Sequence, residues 1–206
     1  ILEGGEYHDY YKTKLGKVAD IADKLRDDDN NLIPIIFRPF HEFDGDWFWW
    51  GKSFCTPAEF IQNWRFTVTY LRDELGVRNM LFAFSPDNRF SSEAVYLERY
   101  PGDDYVDIVG YDNYGDYNNQ GITGSNNAAV KLKIVSDYAK EHKKVAALTE
   151  TGYRVEKGKT LTPGNFYTDI MLRSFTKEKL ELAFMMFWGN GSGGYYVPVP
   201  GASGAE

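Results

Sequence analysis

IPIIFRPFHEFDGDWFWWG, residues 33 to 51, is the stretch from which the rest of the chain is read. Its first part, Ile33 to Phe37, is a near-continuous apolar run, the pattern of a parallel strand covered on both faces. Pro34 has no N–H to give, so the first residue or two are expected outside full pairing. The chain then turns polar at Arg38, His41 and Glu42, and aromatic at Trp47, Trp49 and Trp50. An ionisable pair therefore stands beside a large flat apolar surface just past the end of a buried strand.

The same unit recurs on either side. Upstream, Leu15, Val18, Ala22 and Leu25 are spaced three and four apart on one helical face. Downstream, Thr56-Pro57-Ala58-Glu59 reads as N-cap, first-position proline and capping-box glutamate, ahead of Phe60, Trp64, Val68, Leu71 and Leu75, with Gly76 as the stop. The pattern then predicts a strand over Met80 to Phe84, a short helix over Ser92 to Tyr100 and a strand over Val106 to Tyr111. A helix over Asn127 to Glu141 follows, with Val130, Ile134 and Tyr138 inward. Val145 to Leu148 is a strand, Thr162-Pro163 caps a helix running to about Phe175, and Leu182 to Phe187 is the last strand. Five strands alternating with helices imply parallel βαβ units in one domain over residues 1–206, with no low-complexity linker to divide it.

Open doubly wound sheets and closed (β/α)₈ barrels both fit that order. Polar residues gather after each strand: Arg38, His41 and Glu42; Ser85, Asp87 and Asn88; Asp112 and Tyr114; Thr149 and Glu150; Trp188 and Asn190. Polar chemistry at every C-terminal strand end is the signature of a barrel, where those ends converge on one mouth. A dinucleotide-binding sheet would instead carry a glycine-rich phosphate turn, and neither G-x-G-x-x-G nor a Walker A pattern occurs.

Composition narrows the function. The net charge of −7, with no basic cluster along one face, argues against a nucleic-acid partner. One cysteine excludes an intrachain disulfide framework, and no apolar run approaches a membrane span of about 20 residues. Three histidines without H-E-x-x-H or C-x-x-C spacing make a metal unexpected; no cofactor is implied. Asp27-Asp28-Asp29-Asn30 reads as a solvated helix end, and His8 and His142 as surface residues. Aromatic content of 17% fits either a large core or a cleft that stacks flat ligands.

Glu42 and Glu150 stand out, each after a strand. Either alone reads as well as a helix cap or solvated loop charge as it does as a catalytic group. Together, beside aromatics, they suit a glycosidase, which needs one carboxyl group to protonate the leaving oxygen and one to attack the anomeric carbon. The motifs at this point resemble glycoside hydrolase family 26. RPFHEFDGDWFWWG is similar to the segment in which that family's His-Glu pair ends barrel strand 4, and LTETG to its strand 7 nucleophile segment. FAFSPD, YPGDDYVDIVGYDNYG and FMMFWGN resemble its strand 5, 6 and 8 segments. The resemblance runs across nearly the whole chain.

That resemblance implies Glu42 as general acid/base and Glu150 as nucleophile of a retaining enzyme. Desolvation by His41, Trp47 and other aromatics would keep Glu42 protonated, while hydrogen bonds, one from Tyr114, would keep Glu150 charged. His41 is expected near the sugar's 2-hydroxyl or orienting a carboxylate, with a packed, satisfied histidine as the alternative. Trp47 and Trp188 are implied as sugar platforms, whereas Trp64 falls on a buried helical stripe. Of Trp49 and Trp50, one is expected to line the cleft and the other to seal the core. Arg38, Asp112 and Asn190, with Asp87 and Asn88, can hydrogen-bond sugar hydroxyls, and Arg38 can instead anchor a carboxylate.

If the Ile33 strand is number 4, the chain holds strands 4 to 8 of a (β/α)₈ TIM barrel and lacks strands 1 to 3 and the last helix. Five strands cannot close such a barrel, so either an internal segment of a longer enzyme is expected or the rest is supplied elsewhere in the particle. The expected activity is endo-acting β-1,4-mannan hydrolysis by double displacement. The alternatives are a β-1,3-1,4-glucanase or β-1,3-xylanase of the same family, or a non-catalytic carbohydrate-binding barrel. A polysaccharide substrate implies an extracellular, cell-surface or periplasmic site, and a monomer when full length.

Overall fold

Helix α2, Pro57–Thr69, starts where four residues dictate it. The Thr56 hydroxyl accepts the Glu59 N–H, the Glu59 carboxylate accepts the Thr56 N–H at 2.8 Å, and Pro57 fills a position whose N–H would have no partner. The helix widens into a π turn over Tyr70–Glu74, and the chain leaves it through Gly76 at φ +69°. Phe60, Trp64, Val68 and Leu71 are buried along one face, but Leu75 is half-exposed. The wider turn shifts the phase of the stripe, and Leu75 falls outside it.

The computed structural model describes residues 1–118, 120–156, 158–191 and 194–197. They form two compact units, one of Ile1–Phe84 with Leu97–Ile108, the other of Ser85–Tyr96 with the described part of Val109–Glu206.

In the first unit α1 (His8–Lys24) and α2 accompany two parallel strands, β1 (Ile35–Phe37) and β2 (Met80–Phe84), with Ile35 opposite Met80 and Phe37 opposite Phe82. β1 begins directly after Pro34. The Asn79 amide donates to the carbonyls of Ala22 (3.0 Å) and Ile33 (2.8 Å), tying the end of α1 to the start of β1. Trp64 is fully buried and its indole N–H donates to the Tyr105 carbonyl at 3.0 Å, which satisfies the one polar atom that burial would otherwise strand. Three expectations change. Ile36 is 48% exposed, so β1 is not covered on both faces among the described residues. Leu25 lies past the end of α1 and is exposed. The acidic run is a turn, not a helix end: Asp27 Oδ1 accepts the N–H groups of Asp29 and Asn31.

The second unit places β3 (Ile108–Asn113), β4 (Val145–Thr151) and β5 (Phe184–Phe187) side by side in that order, with β4 and β5 parallel. A Cβ on Gly110 would meet Thr149 Cγ2 at 2.5 Å and the Ala147 carbonyl at 2.8 Å, so only glycine allows β3 to lie this close to β4. Both strands run further than the apolar pattern predicts. β3 takes in Asp112 and Asn113, and β4 takes in Thr149, Glu150 and Thr151. These polar residues satisfy one another: the Thr149 hydroxyl donates to Asp112 Oδ1 and the Thr151 hydroxyl to the Asn113 carbonyl, both at 2.8 Å.

Helix α4, Gly121–His142, begins six residues before Asn127, and of the three residues expected inward Tyr138 is buried and Ile134 partly so, whereas Val130 is not. Ala128, Ala129, Leu132, Val135, Ser136, Tyr138 and Ala139 are buried, while Val130 is 54% exposed. Small residues let the helix pack closely, and a search for large apolar side chains passes over them. The helix predicted over Ser92 to Tyr100 is α3, Glu93–Tyr96 alone. Thr162-Pro163 does not cap the next helix, which starts with a π turn at Phe166–Met171 and continues as α5, Leu172–Thr176. β5 starts two residues later than predicted.

Candidate active site

The first unit carries Arg38, His41, Glu42 and Trp47 on the connection that leaves β1. Phe40 and Glu42 both adopt left-handed backbone, at φ +52° and +53°, which costs a residue with a Cβ on the order of 1–2 kcal/mol. Their neighbours hold them there. Phe40 is buried against Trp50, Phe60 and Trp64, with ring centroids 6.0–6.3 Å away, and Phe43 against Phe60 at 4.5 Å and Phe84 at 4.9 Å. Two anchored phenylalanines thus fix the backbone on either side of Glu42 and set where its carboxyl group projects.

The Trp47 indole N–H donates to Glu42 Oε2 at 2.7 Å. In sequence Trp47 reads as an apolar face with a desolvating role and no hydrogen bond, and an indole beside a carboxylate is the signal that its donor matters too. A Glu42 protonated on Oε1 still offers Oε2 to Trp47, so the bond is compatible with a proton-donating role. The loop closes tightly underneath: a Cβ on Gly45 would lie 2.2 Å from the Trp47 ring, and one on Gly51 2.2 Å from the Gly45 carbonyl. Trp50 is the inner tryptophan, its indole N–H on the His41 carbonyl at 2.8 Å and its ring stacked on Phe48 at 4.5 Å. Trp49 is 58% exposed. The His41 ring lies 4.8 Å from that of Phe48.

The second unit carries Asp112, Tyr114, Glu150, Trp188 and Asn190. Glu150 lies within β4 and is only 6% exposed. Tyr114, just beyond β3, donates its hydroxyl to Glu150 Oε1 at 2.8 Å. Burial pushes the Tyr114 phenol far above its ordinary range, and the bond to Glu150 and its negative charge push it further. Tyr114 is therefore a permanent neutral donor. Asp112 is completely buried and accepts from Thr149, the residue before Glu150. Burial also raises the carboxyl pKa of Asp87, against the opposing hydrogen bond from the Asn88 backbone and the charge of Arg89.

Trp188 follows β5, is 49% exposed, and donates its backbone N–H to the Thr151 carbonyl at 3.0 Å. The Asn190 side chain serves the backbone: its oxygen accepts from the N–H groups of Tyr196 and Val197, and its nitrogen donates to the Val197 carbonyl. Its visible partners make it a fastener of the segment after β5. His8 lies tilted against Phe66 at 4.6 Å and His142 stacks on Tyr138 at 4.0 Å, so each is half-covered rather than fully at the surface.

The sequence matches glycosyl hydrolase family 26 over residues 1–170. It is 36% identical to a mannan endo-1,4-β-mannosidase of Bifidobacterium adolescentis over 202 residues, which is 94% of this chain and 20% of that protein. The solved structure of GH26C from Muricauda sp. MAR_2010_75 is 59% identical and superposes with a TM-score of 0.95, covering 98% of this chain and 54% of that one. An endo-β-1,4-mannanase double mutant from Cellulomonas fimi is 37% identical with a TM-score of 0.88, covering 98% of this chain and 45% of that one. The chain thus spans 20% of the curated relative's length and about half of each solved chain. Its fold is the corresponding part of a (β/α)₈ barrel, with five strands and their helices.

Proposed function

Because the chain belongs to glycosyl hydrolase family 26, we propose that the protein carrying it is an endo-acting β-mannanase that cleaves β-1,4-mannosidic bonds by double displacement. The name of the Bifidobacterium relative supports the substrate. The observation that carries the mechanism is the buried Glu150 with Oε1 held by Tyr114, a carboxylate fixed in place as attack on a sugar carbon requires. Glu150 attacks the anomeric carbon while the bond to the leaving oxygen breaks and Glu42 gives that oxygen its proton. Glu42 then takes a proton from water, the water oxygen bonds to the same carbon, and Glu150 departs as carboxylate.

In this reading Trp47 and Trp188 offer apolar faces to the sugar rings, and His41 contacts the sugar near its 2-hydroxyl. Arg38 and Asp112 order the carboxylates or bind hydroxyls, and Asn190 holds the chain behind Trp188. A polymeric substrate supports an extracellular, cell-surface or periplasmic site in this reading. The test is hydrolysis of galactomannan, mixed-linkage β-glucan and β-1,3-xylan by the full-length protein, with the first-formed anomer followed by proton NMR. Manno-oligosaccharides released first as the β-anomer support the reading. Cleavage of glucan or xylan alone overturns the substrate, and an α-anomer formed first overturns double displacement.

A further inference from the structure

Lys131 projects from α4, and its ammonium lies 2.7 Å from Asp116 Oδ2. Both side chains are largely buried, at 13% and 10% exposure. A buried ion pair adds little stability over apolar packing, so its use is sought in what it orders. Asp116 Oδ2 also accepts from the Asn113 amide at 3.1 Å. Asn113 Oδ1 in turn accepts from the Asp116 N–H at 3.2 Å and from the Asn88 amide at 3.0 Å. The Asn113 carbonyl accepts from Thr151, the residue after Glu150. These contacts fasten the turn on both sides of Tyr114, whose own carbonyl accepts the Asn118 N–H at 2.8 Å. There is no slack beneath it: a Cβ on Gly115 would lie 2.6 Å from the Asn88 amide nitrogen.

We propose that Lys131, Asp116 and Asn113 form a positioning network that holds the Tyr114 hydroxyl on Glu150, so that a lysine on an outer helix sets the alignment of the attacking carboxylate. This rests on reading Glu150 as the nucleophile. Lys131 is a positioning residue only. Its loss leaves the Asp116 carboxylate without its cation, loosens the turn and degrades a bond that matters most in the transition state.

The experiment is a double-mutant cycle of Lys131→Met with Tyr114→Phe in the full-length protein. Lys131→Met should lower kcat about tenfold on mannan with KM within about twofold, since transition-state alignment and not substrate binding is lost. The double mutant should be no slower than Tyr114→Phe alone, because both act through one bond. Multiplying losses, or an unchanged kcat in Lys131→Met, overturns the proposal. Asp116→Asn, which keeps the shape and removes the charge, takes the same place in the cycle if Lys131→Met does not fold. A readout without substrate separates this inference from the functional reading: the phenolic ¹³C resonance of Tyr114, assigned by its absence in Tyr114→Phe. It should move toward that of a solvated tyrosine in Lys131→Met, and an unmoved resonance refutes the network. If the parent protein cleaves no glycoside, the nucleophile reading falls while the resonance still decides whether Lys131 holds Tyr114.

Discussion

Glu42 and Glu150 reach their positions by opposite means. Glu42 stands on a loop in left-handed backbone, is only half-buried, and takes its identified hydrogen bond from a half-exposed indole. Glu150 stands inside a strand, is almost wholly buried, and takes its bond from a phenol whose turn is fastened by a buried ion pair. The difference fits the two roles proposed for them. A group that gives a proton to one oxygen and takes one from water must be reachable by water, whereas a group that forms a covalent bond must be held at one distance and angle. Strain supported by aromatic packing serves the first, and a polar network the second.

The sharpest way to break this contrast is Glu150→Ala. With Glu150 as the proposed nucleophile, this variant loses the atom that would form the covalent intermediate and should lower turnover on every substrate by on the order of 10⁴-fold or more, read by initial rates on mannan and on an aryl mannoside alike. The supporting donors come next. Tyr114→Phe should lower kcat by about 10²-fold with KM little changed, while Trp47→Phe, which keeps an aromatic face and loses the N–H, should raise KM as well. Equal kinetic signatures from the two would mean that both glutamates are held in the same way.

A smaller effect tests the backbone directly. At position 42 glycine should be more stable than alanine by about 1 kcal/mol, because only the Cβ resents φ +53°. At position 150 the order should reverse by roughly 0.5–1 kcal/mol, as it does within ordinary strands. Urea midpoints of the four variants give the sign at each site. The smallest effect concerns the start of α2. Hydrogen bonds from Thr56 lower the Glu59 pKa, so the contribution of this cap is present above the ordinary glutamate range and is lost as pH falls through the lowered value. Thr56→Ala should cost about 1 kcal/mol near neutral pH, and the difference from the parent should shrink in acid.

How much of this is legible in the sequence depends on whether local chemistry or burial decides it. The Thr56–Glu59 cap, the Pro34 boundary and the buried Trp64 are set by neighbours in the chain and can be read off it. The inward face of α4 is only partly legible: Tyr138 is read correctly, but Ala128, Ala129, Ser136 and Ala139 carry no strong apolar signal and Val130 does. The ends of β3 and β4 are hidden for a related reason: Asp112, Asn113, Thr149, Glu150 and Thr151 look like loop residues until their mutual hydrogen bonds are known. The pairing of Tyr114 with Glu150 is implied by the family resemblance, and the ends of the neighbouring strands β3 and β4 bring the two together. Nothing in HEF marks Glu42 as left-handed. That backbone is imposed by Phe40 and Phe43 packing against residues 10 to 41 positions away.

The central claim is that the two glutamates divide the chemistry, and azide tests it most directly in the Glu42→Ala variant. With an aryl mannoside whose leaving group needs no proton, the first step should survive and deglycosylation should become limiting. Added azide, which needs no general base to attack the glycosyl–enzyme bond, should then raise the rate and yield the β-mannosyl azide. An α-mannosyl azide from that variant would contradict the assignment of Glu150 as the nucleophile and Glu42 as the acid/base.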